Sequence, residues 1–428
     1  MKILRTIKKK IYFFVASYFR FWAKIYLRRW NPKIIAVIGS SGKTTLLHLF
    51  EAELGERARY SHHANSTFGI PFHILGLQRK SFNIIEWPLF ALLSPFRAFR
   101  GLPKEKLYVV EADAERPGEG KFLAQLLKPE GLVWLSLEEA HGINFDRIVA
   151  SSGDNHREAV KEAMANEFGH FLETTKGFSI LNADNRFITK QSKRTKSKVI
   201  PVSEKEIRSF KIVNEGVEIE TLVGNFSLPR LVPPASSLSV VAVSTAVKTL
   251  GFKVDSTFRN FELPPGRSSV FQGIENTTLI DSTYNATMDG MRTMLDLTRR
   301  HPAIGEKWLV LGDMIEQGKS EEAEHIDIAK DILSVSPARV ILVGPRLTKY
   351  TYPPLVKHLG TQKVIAFLMP GEALLYLKRE LKGGETILFK GARYLEGVVE
   401  KLLLNPSDAS KLCRREAIWV NQRKKWQI

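Results

Sequence analysis

The amino-acid sequence predicts an α/β fold in which two or three domains are built around mostly parallel sheets. Its 428 residues exceed the size of one ordinary domain. A hydrophobic content of 44% and a charged content of 25% are typical of a chain that buries a core. From Lys33 onward, short apolar runs alternate with helical patterns, as parallel strands joined by crossover helices do.

Seven apolar runs are strand-like, and helical patterns such as 44–54 and 239–250 lie between them. The runs are 34–38, 107–110, 132–135, 279–280, 308–311, 340–343 and 386–389. A Leu-Pro-Pro-Gly segment at 263–266 then interrupts the pattern. We therefore expect an N-terminal arm (1–33), a central domain (34–263), a C-terminal domain (264–410) and a basic tail (411–428).

A glycine-rich segment lies directly after the first apolar run and before a helical pattern; it reads Gly39-Ser40-Ser41-Gly42-Lys43-Thr44-Thr45. Glycines let backbone N–H groups turn toward phosphate oxygens, and the following helix adds its positive N-terminal end. Lys43 is placed to reach the β- and γ-phosphates, and the Thr44 hydroxyl to bind Mg²⁺. The common pattern G-x-x-x-x-G-K-[ST] is not met, because its first glycine would fall at Val37. The segment still predicts a nucleotide site, but alone it names no reaction.

The net charge of +18 is concentrated at the two ends of the chain. Residues 1–33 contribute +10 and residues 411–428 contribute +5, which leaves only +3 between them. No nucleic-acid partner is predicted, since such a protein would carry a basic stripe across its folded face. Basic residues interleaved with aromatics suit an anionic membrane surface, with an RNA-binding or solvated tail as the alternative. The single Cys413 excludes a disulfide framework and a multi-cysteine metal site.

The N-terminal segment contains an apolar run at 11–19, shorter than the roughly 20 residues of a spanning helix. Export as a signal peptide would separate the phosphate loop from ATP, so a cytoplasmic protein is predicted. A helix over residues 1–30 would place Phe19, Trp22 and Tyr26 on one face and Arg20 and Lys24 on another. We expect this helix to lie on the inner face of the membrane; the alternative is that its aromatics pack on the body of the protein.

An apolar insert at 81–100 is rich in Trp, Phe, Leu and Pro and falls where a short connection would suffice. Three interpretations stay open for this insert. It is a lid, a second membrane-facing hairpin, or an insertion that packs on the core.

Five segments, in order along the chain, resemble motifs of the Mur ligase superfamily. They are the phosphate loop, Asn65-Ser66-Thr67-Phe68-Gly69-Ile70-Pro71, Val109-Val110-Glu111 followed by Gly118-Glu119, Glu138-Glu139-Ala140-His141, and Leu181-Asn182-Ala183-Asp184. The resemblance implies that Glu111 helps to bind one Mg²⁺ and that His141 holds a second. Both residues follow apolar strands, and ligands in open α/β sheets lie at the carboxyl ends of strands. A hydrogen-bonded strand-end pair is the alternative.

Three further segments resemble the branch of the family that adds D-alanyl-D-alanine. They are Asp281-Ser282-Thr283-Tyr284-Asn285-Ala286, Leu311-Gly312-Asp313-Met314 with Glu316, Gly318 and His325, and Lys390-Gly391-Ala392-Arg393. The resemblance implies that Asp281 and Asn285 bind the nucleotide and that Lys390 and Arg393 take part in catalysis. It also implies that Arg267 contacts ATP, although a linker arginine in an ordinary salt bridge is the alternative.

The resemblance implies a P-loop central ATPase domain, a Rossmann-like C-terminal domain and an ATP-dependent amide-bond-forming ligase of peptidoglycan precursor synthesis. The expected partners are ATP, Mg²⁺, a cell-wall peptide precursor and an amino acid or dipeptide amine. The precursor's carboxylate attacks the γ-phosphate to form an acyl phosphate, which the amine then converts to an amide. Domain closure is expected to bring Arg393 toward the reacting centre. Two alternatives are a Mur-type ligase acting on a lipid-linked substrate at the membrane and a nucleotide-binding scaffold without catalysis.

The sequence departs from the family pattern in four ways. Only 33 residues precede the first strand, so the domain that grips the UDP-sugar is not expected. The lysine that many members carbamylate aligns with Ala165, with Lys161 one turn earlier. The adenine-contacting H-N-x-x-N start of a helix reads Ala235-Ser236-Ser237-Leu238-Ser239, so adenine recognition is expected to differ. One aspartate of a pair is Ser282, which leaves Asp281 as the candidate for that role.

Overall fold

A computed structural model describes most of the chain and divides it into two compact units. The described residues are 2–79, 86–114, 116–138, 144–145, 149, 155–213, 216–303, 305–315, 317–391, 394–426 and 428, with backbone only at 2–10 and 155. The first unit comprises Met1–Leu137, Val149–Glu204 and Leu238–Val254, and the second comprises Glu138–Ile148, Lys205–Ser237 and Asp255–Ile428.

The first unit is built on a six-stranded parallel sheet, so the predicted α/β class is confirmed for this part of the chain. Its strands are β1 (Lys33–Ile38), β2 (Ala58–Tyr60), β3 (Leu107–Glu111), β4 (Gly131–Trp134), β5 (Phe178–Asn182) and β6 (Lys198–Val202), in the order β2-β3-β1-β4-β5-β6. Its helices are α1 (Lys2–Trp30), α2 (Lys43–Leu54), α3 (Gly69–Leu75), α4 (Glu86–Ala98), α5 (Glu119–Leu127), α6 (Asn155–Thr174), α7 (Arg186–Gln191) and most of α8 (Ser236–Thr249).

Strand β1 lies in the middle of this sheet because its residues are apolar on both faces. Residues 34–38 are buried, as expected for a parallel strand covered by helices on both sides. It pairs with β3 on one edge and with β4 on the other, so the strand order reverses around it. Ligand sites of open α/β sheets lie at the carboxyl ends of strands at such a reversal.

Helix α1 packs on the first unit through the face that we predicted would meet the membrane. Phe19, Tyr26 and Trp30 are buried, and the Phe19 ring meets Phe72 edge to face with centroids 4.8 Å apart. The Trp30 indole N–H donates to the Glu105 carbonyl at 2.7 Å. The predicted orientation of the aromatic face is therefore wrong, because Phe19 and Tyr26 are buried within the first unit and Trp22 is half-buried. None of the described helices is both long and apolar enough to cross a membrane.

The second unit contains a mixed sheet and a separate three-stranded meander. The meander strands are β7 (Ile207–Val213), β8 (Gly216–Thr221) and β9 (Gly224–Leu228), and the sequence analysis missed them. The sheet strands are β10 (Ser269–Gln272), β11 (Thr278–Ser282), β12 (Lys307–Gly312), β13 (Arg339–Val343), β14 (Val364–Phe367) and β15 (Thr386–Lys390), in the order β10-β11-β15-β12-β13-β14. The helices are α9 (Met288–Arg300), α10 (Glu321–Ser334), α11 (Tyr352–Leu359), α12 (Pro370–Glu380), α13 (Leu395–Leu402) and α14 (Ala417–Lys424).

All strand pairs of the second sheet are parallel except β10 with β11. Trp308, Ile387 and Phe389 on the central strands pack in one hydrophobic core with Val398 and Leu402 of α13. The parallel register places Ser282 beside Lys390, so the ends of β11 and β15 lie together at one edge of the sheet.

Candidate active site

The predicted phosphate loop forms a tight turn between β1 and α2. Gly39 has φ 135° and Gly42 has φ 74°, a region that favours glycine. A Cβ atom on Gly39 would lie 2.7 Å from the Ser136 hydroxyl, whereas one on Gly42 would meet nothing within 4 Å. The loop is therefore closed on the Ser136 side and open beside Gly42.

Ser136, just beyond β4, holds this loop through hydrogen bonds, and the sequence analysis did not identify it. Its hydroxyl donates to the Ser41 carbonyl at 2.7 Å and accepts from the Ser41 N–H at 2.9 Å. The Ser40 N–H donates to the Ser136 carbonyl at 3.3 Å. Helix α2 begins immediately afterwards, with Thr44 and Thr45 in its first turn. The positive end of that helix therefore faces the loop.

Lys43 is buried and held between the loop and an acidic residue that we did not predict. Its ammonium group lies 2.7 Å from an Asp113 carboxylate oxygen and donates to the Gly39 carbonyl at 2.6 Å. Asp113 in turn accepts from the Asn65 amide at 2.7 Å. The charge of Lys43 is thus balanced by Asp113 at the position where a phosphate would compete for it.

Thr44 and Glu111 lie together, as the magnesium prediction requires. The Thr44 hydroxyl donates to the Glu111 carboxylate at 3.1 Å. Parallel pairing of Val37 with Glu111 fixes this approach, because it aligns the ends of β1 and β3. The Asn65 amide also donates to the other Glu111 oxygen at 3.5 Å, so the Asn65 segment contributes to the same site.

Glu119 is a structural acid at the start of α5. It accepts hydrogen bonds from both the backbone N–H and the hydroxyl of Thr67. Burial raises its pKa, opposed by these two hydrogen bonds. Glu167 accepts from the Gly118 N–H at 2.7 Å and so fixes the start of the same helix. The Gly118-Glu119 pair therefore anchors the Asn65–Thr67 segment that reaches the site.

The Asn182 and Asp184 motif ties the ends of neighbouring strands together. The Asn182 amide donates to the Leu135 carbonyl at 2.8 Å. Asp184 accepts from the Ser203 hydroxyl at 2.8 Å and from the Glu204 N–H at 2.7 Å. This motif supports the carboxyl edge of the sheet.

His141, the predicted ligand of a second Mg²⁺, lies outside the described residues. Ala165 is buried in α6, four residues beyond the half-buried Lys161. Ser236 begins α8, and both Ser236 and Ser239 are buried. That adenine recognition differs from the family pattern at Ser236 and Ser239 stays a prediction.

The second unit brings Asp281, Asn285 and Lys390 into one cluster. Lys390 is buried at the end of β15, and its ammonium group donates to the Asn285 carbonyl at 2.8 Å. Burial, followed by the nearby Arg267 charge, lowers the pKa of Lys390 to about 8. Asp281 accepts from the Thr283 hydroxyl at 2.7 Å. Its own burial raises the pKa of Asp281 to about 6.

Arg267 lies at the same cluster, half-buried, with its guanidinium carbon 4.6 Å from the centre of the Tyr284 ring. Gly266 makes this approach possible, since its φ is 76° and a Cβ there would lie 3.0 Å from the Tyr284 nitrogen. The structure therefore places Arg267 beside Lys390 and the Asp281–Asn285 turn. Arg393 lies outside the described residues.

The Asp313 and His325 motif forms a buried support at the end of β12. Asp313 accepts from the backbone N–H groups of Arg346 and Leu347 at 3.1 and 3.0 Å. His325 accepts from the Met314 N–H at 3.3 Å and faces the Glu321 carbonyl at 2.6 Å. Burial lowers the pKa of His325 and so favours its neutral form. Glu316 lies outside the described residues.

The basic tail at the C-terminus is paired with acidic residues of α13. Arg414 and Arg423 contact the buried Glu396 at 3.3 and 3.6 Å. Arg415 contacts Glu400 at 2.6 Å. Lys411 also contacts Asp408 at 2.7 Å. Four of the six basic residues in this tail are thus paired with acids of the second unit, and its charge is less available to a membrane than its composition indicates.

The residues of the first site fit ATP and Mg²⁺. A glycine turn with open space beside Gly42, the start of α2 and Lys43 suit the phosphates of a nucleotide. The Thr44 and Glu111 oxygens are 3.1 Å apart, close to the roughly 2.9 Å between neighbouring oxygens around Mg²⁺. Hydroxyl and carboxylate oxygens are also the ligands that this ion prefers.

The fold and this loop define the class of P-loop α/β proteins that carry a second α/β unit with a mostly parallel sheet. Within that class, residues 266–393 match the family model described as Mur ligase, glutamate ligase domain. A MurF ligase from Thermotoga maritima, solved in complex with ADP, has a similar structure: TM-score 0.70, 21% identity, 90% of this chain and 82% of that one. This likeness confirms the predicted fold class.

The chain is also similar in sequence to UDP-N-acetylmuramoyl-tripeptide–D-alanyl-D-alanine ligases. The relative from Escherichia coli (strain K12) is 25% identical over 73% of this chain, and the match spans 64% of that relative's length. The relative from Bacillus subtilis (strain 168) is 24% identical, over 90% of this chain and 79% of the relative. The predicted resemblance to Mur ligases, and to their D-alanyl-D-alanine-adding branch, is therefore confirmed.

Proposed function

We propose that this protein is an ATP-dependent carboxylate–amine ligase of peptidoglycan precursor synthesis, of the D-alanyl-D-alanine-adding type. The observation that carries the proposal is the loop of Gly39 and Gly42 around Lys43, with Thr44 and Glu111 3.1 Å apart beside it. The similarity to the D-alanyl-D-alanine-adding ligases supports the choice of substrates.

ATP supplies the phosphoryl group that activates a carboxylate, and bound Mg²⁺ would offset the negative charge of its phosphates. A carboxylate oxygen bonds to the γ-phosphorus while the bond to ADP breaks. The amine nitrogen then bonds to the carbonyl carbon, loses a proton, and inorganic phosphate leaves. In this proposal Lys43 stabilises the phosphate charge, and Thr44, Glu111 and His141 are the metal ligands. Positioning and charge stabilisation account for most of the catalysis.

We assign the second-unit cluster a supporting part in the same reaction. Arg267 and Lys390 are cations close to the Asp281–Asn285 turn. Such a group suits the recognition of anionic oxygens on the nucleotide or on the activated carboxylate. Arg393 takes the same role by its place in the Lys390 motif.

The test is phosphate release from Mg-ATP with UDP-muramyl tripeptide and D-alanyl-D-alanine, using Lys43→Ala as the blank. We expect turnover that needs both substrates and is lost in the variant. ATP binding without turnover on this pair would overturn the substrate assignment and favour a lipid-linked acceptor. Binding without turnover on either kind of acceptor would favour the scaffold alternative.

We also propose that the first unit binds peripherally to an anionic membrane surface. Helices α1 and α4 lie side by side, joined by the Tyr18 hydroxyl donating to the Ala91 carbonyl at 2.8 Å. Helix α1 exposes four large apolar side chains, and α4 together with the next residue, Phe99, exposes four more. In both sets the successive residues are three, four and three positions apart. They are Ile11, Phe14, Tyr18 and Phe21 on the first, and Leu89, Leu92, Phe96 and Phe99 on the second.

The charge around this apolar surface indicates lipid rather than a neutral protein partner. Lys24, Arg28 and Arg97 are exposed on the same two helices. An apolar surface flanked by cations is typical of a helix that lies in the interface of an anionic bilayer. The surface also supports the alternative in which the ligase acts on a lipid-linked acceptor, because the enzyme and that acceptor would then both be located at the membrane surface.

Point variants test this contact better than deletion, since deletion of α1 would remove the buried Phe19, Tyr26 and Trp30. We expect Phe14→Ser with Phe96→Ser to weaken co-sedimentation with phosphatidylglycerol vesicles about ten-fold or more. Leu222→Ser is the matched control, because this side chain is 59% exposed in the meander of the second unit. Unchanged binding of the double variant would refute the proposed surface.

A further inference from the structure

Two histidines and a glutamate of the first unit lie close together, and none of them belongs to the nucleotide site described above. The His48 ring nitrogen Nδ1 lies 3.2 Å from one Glu51 oxygen, and the His62 Nε2 lies 3.1 Å from the other. The two imidazole rings are 4.9 Å apart, and one ligand atom from each residue lies within 4.8 Å of the other two. We propose that His48, Glu51 and His62 form a binding site for a first-row transition-metal ion such as Zn²⁺.

The ligand set selects the class of ion. Two imidazole nitrogens and one carboxylate oxygen suit Zn²⁺ and its neighbours, whereas Mg²⁺ prefers oxygen ligands alone. Bonds of about 2.0–2.1 Å in tetrahedral geometry place neighbouring ligand atoms roughly 3.3 Å apart. The His48 and His62 nitrogens lie 3.2 and 3.1 Å from different Glu51 oxygens, each close to that value. One Glu51 oxygen and the two nitrogens lie within 4.8 Å of one another, so side-chain rotation would complete the ligand set. Three protein ligands leave a position for water, as in sites of the His₂Glu type.

The backbone holds the three residues in place independently of any ion. His48 and Glu51 are three residues apart on α2, so both project from one face of a helix. His62 lies in the turn that follows β2, which the Ala64 N–H closes by donating to the Ser61 carbonyl at 3.0 Å. Ser61 is itself tied to β3, because its hydroxyl accepts from the Glu111 N–H at 2.9 Å. Ligands on rigid elements are those that bind metal without a large ordering cost.

The surroundings leave the cluster accessible and support one of its rings. The side chains of His48, Glu51 and His62 are 16%, 40% and 33% exposed, so an ion can enter from solvent. The Tyr60 ring lies beside His62 with centroids 5.9 Å apart. A bound ion would join α2, the helix after the phosphate loop, to the turn after β2. Metal binding should therefore raise the temperature of unfolding of the whole chain.

The alternative is a hydrogen-bonded group in which both imidazoles donate to Glu51 and no metal binds. The chain offers a matched control for it, since His170 and Glu173 form the same three-residue pair at 2.9 Å on α6, without a second histidine. The first measurement is the absorption spectrum of the full-length, chelator-treated protein titrated with Co²⁺, without nucleotide. We expect visible bands of four-coordinate Co²⁺ at one equivalent, and their displacement by Zn²⁺.

The second measurement is equilibrium dialysis with Zn²⁺ for the unsubstituted protein and for His62→Ala, Glu51→Gln and His170→Ala. We expect the first two variants to lose at least about ten- to a hundred-fold in affinity, because even outer partners of a metal site contribute that much. His170→Ala should bind as the unsubstituted protein does. Equal binding by His62→Ala and His170→Ala, or a Co²⁺ spectrum of the hydrated ion only, would overturn the proposal. Both readouts are independent of turnover.

Discussion

Removing the charge of Asp113 tests whether this carboxylate holds Lys43 until a phosphate replaces it. The two groups are 2.7 Å apart, and their side chains are 6% and 10% exposed. In Asp113→Asn the side-chain amide can still accept a hydrogen bond, so the charge is lost while the shape is retained. We expect the variant to be less stable without nucleotide and to bind Mg-ATP more tightly.

The size of the effect follows from the geometry. Unit charges 2.7 Å apart attract by about 6 kcal/mol at an effective dielectric constant of about 20. Desolvation of the two buried groups offsets several kcal/mol of this attraction. Lys43 also keeps the Gly39 carbonyl as an acceptor at 2.6 Å. Because that hydrogen bond is retained, we expect a loss of about 2–3 kcal/mol in the free energy of unfolding, at or just below the roughly 3–5 kcal/mol that breaking a buried ion pair costs.

The same pair predicts the effect on nucleotide affinity. In the unsubstituted protein a γ-phosphate must compete with Asp113 for Lys43. Once the phosphate has bound Lys43, the negatively charged Asp113 carboxylate lies close to the negatively charged phosphate. The variant avoids this conflict, so about 1–2 kcal/mol of the lost stability should return when ATP is bound. That difference corresponds to roughly ten-fold tighter binding.

The assay is urea unfolding with and without a non-hydrolysable ATP analogue, for Asp113→Asn, Lys43→Met and the double variant. The coupling energy between the two sites should be about 2 kcal/mol without nucleotide and smaller with it. Weaker nucleotide binding by Asp113→Asn would refute the competition and indicate a direct role of Asp113 in holding the nucleotide. A coupling energy near zero would refute the ion pair itself.

Two further predictions concern stability. Phe19→Ala should cost about 3–5 kcal/mol in urea unfolding, because the ring is buried, whereas Phe14→Ala, at 80% exposed, should change stability by less than about 0.5 kcal/mol; equal effects would contradict the packing of α1. Burial raises the pKa of Asp281 from 3.8 to about 6, so the stability that its protonated form contributes is present below about pH 4 and is lost as the pH rises through about 6. Asp281→Asn should therefore match the unsubstituted protein near pH 4 and exceed its stability near pH 8 by about 2–3 kcal/mol; a constant difference across that range would contradict the buried, protonated carboxyl.

Helix α1 shows why the pattern predicted the element and not its orientation. Hydrophobic residues occur on more than one face of this helix, since Phe19 and Tyr26 are buried while Phe14 and Phe21 are exposed. A period of 3.6 residues identifies a helix, but it selects a buried face only when the other faces are polar. Packing against α3 and α4 determines which face of α1 is buried, and the sequence of α1 alone does not reveal those two helices as its partners.

The meander of β7, β8 and β9 was missed for a related reason. Its outer strand β7 alternates exposed with half-buried residues and carries Lys and Arg, so no continuous apolar run marks it. The seven runs that were identified all belong to sheets with helices on both faces, where strands are apolar along their whole length. Apolar runs therefore predict central parallel strands well and exposed antiparallel ones poorly.

In the candidate site, residues that are adjacent in sequence could be predicted, whereas residues brought together by strand pairing were harder to predict. The glycine loop and Lys43 are neighbours in sequence, so the motif alone predicted them. Glu111 is 67 residues from Thr44, and the register of β1 with β3 brings their oxygens within 3.1 Å. A slip of one residue would turn Glu111 to the opposite face of the sheet. Asp113 lies beyond the end of β3, where no alternation applies, so only the folded chain could reveal it as the partner of Lys43.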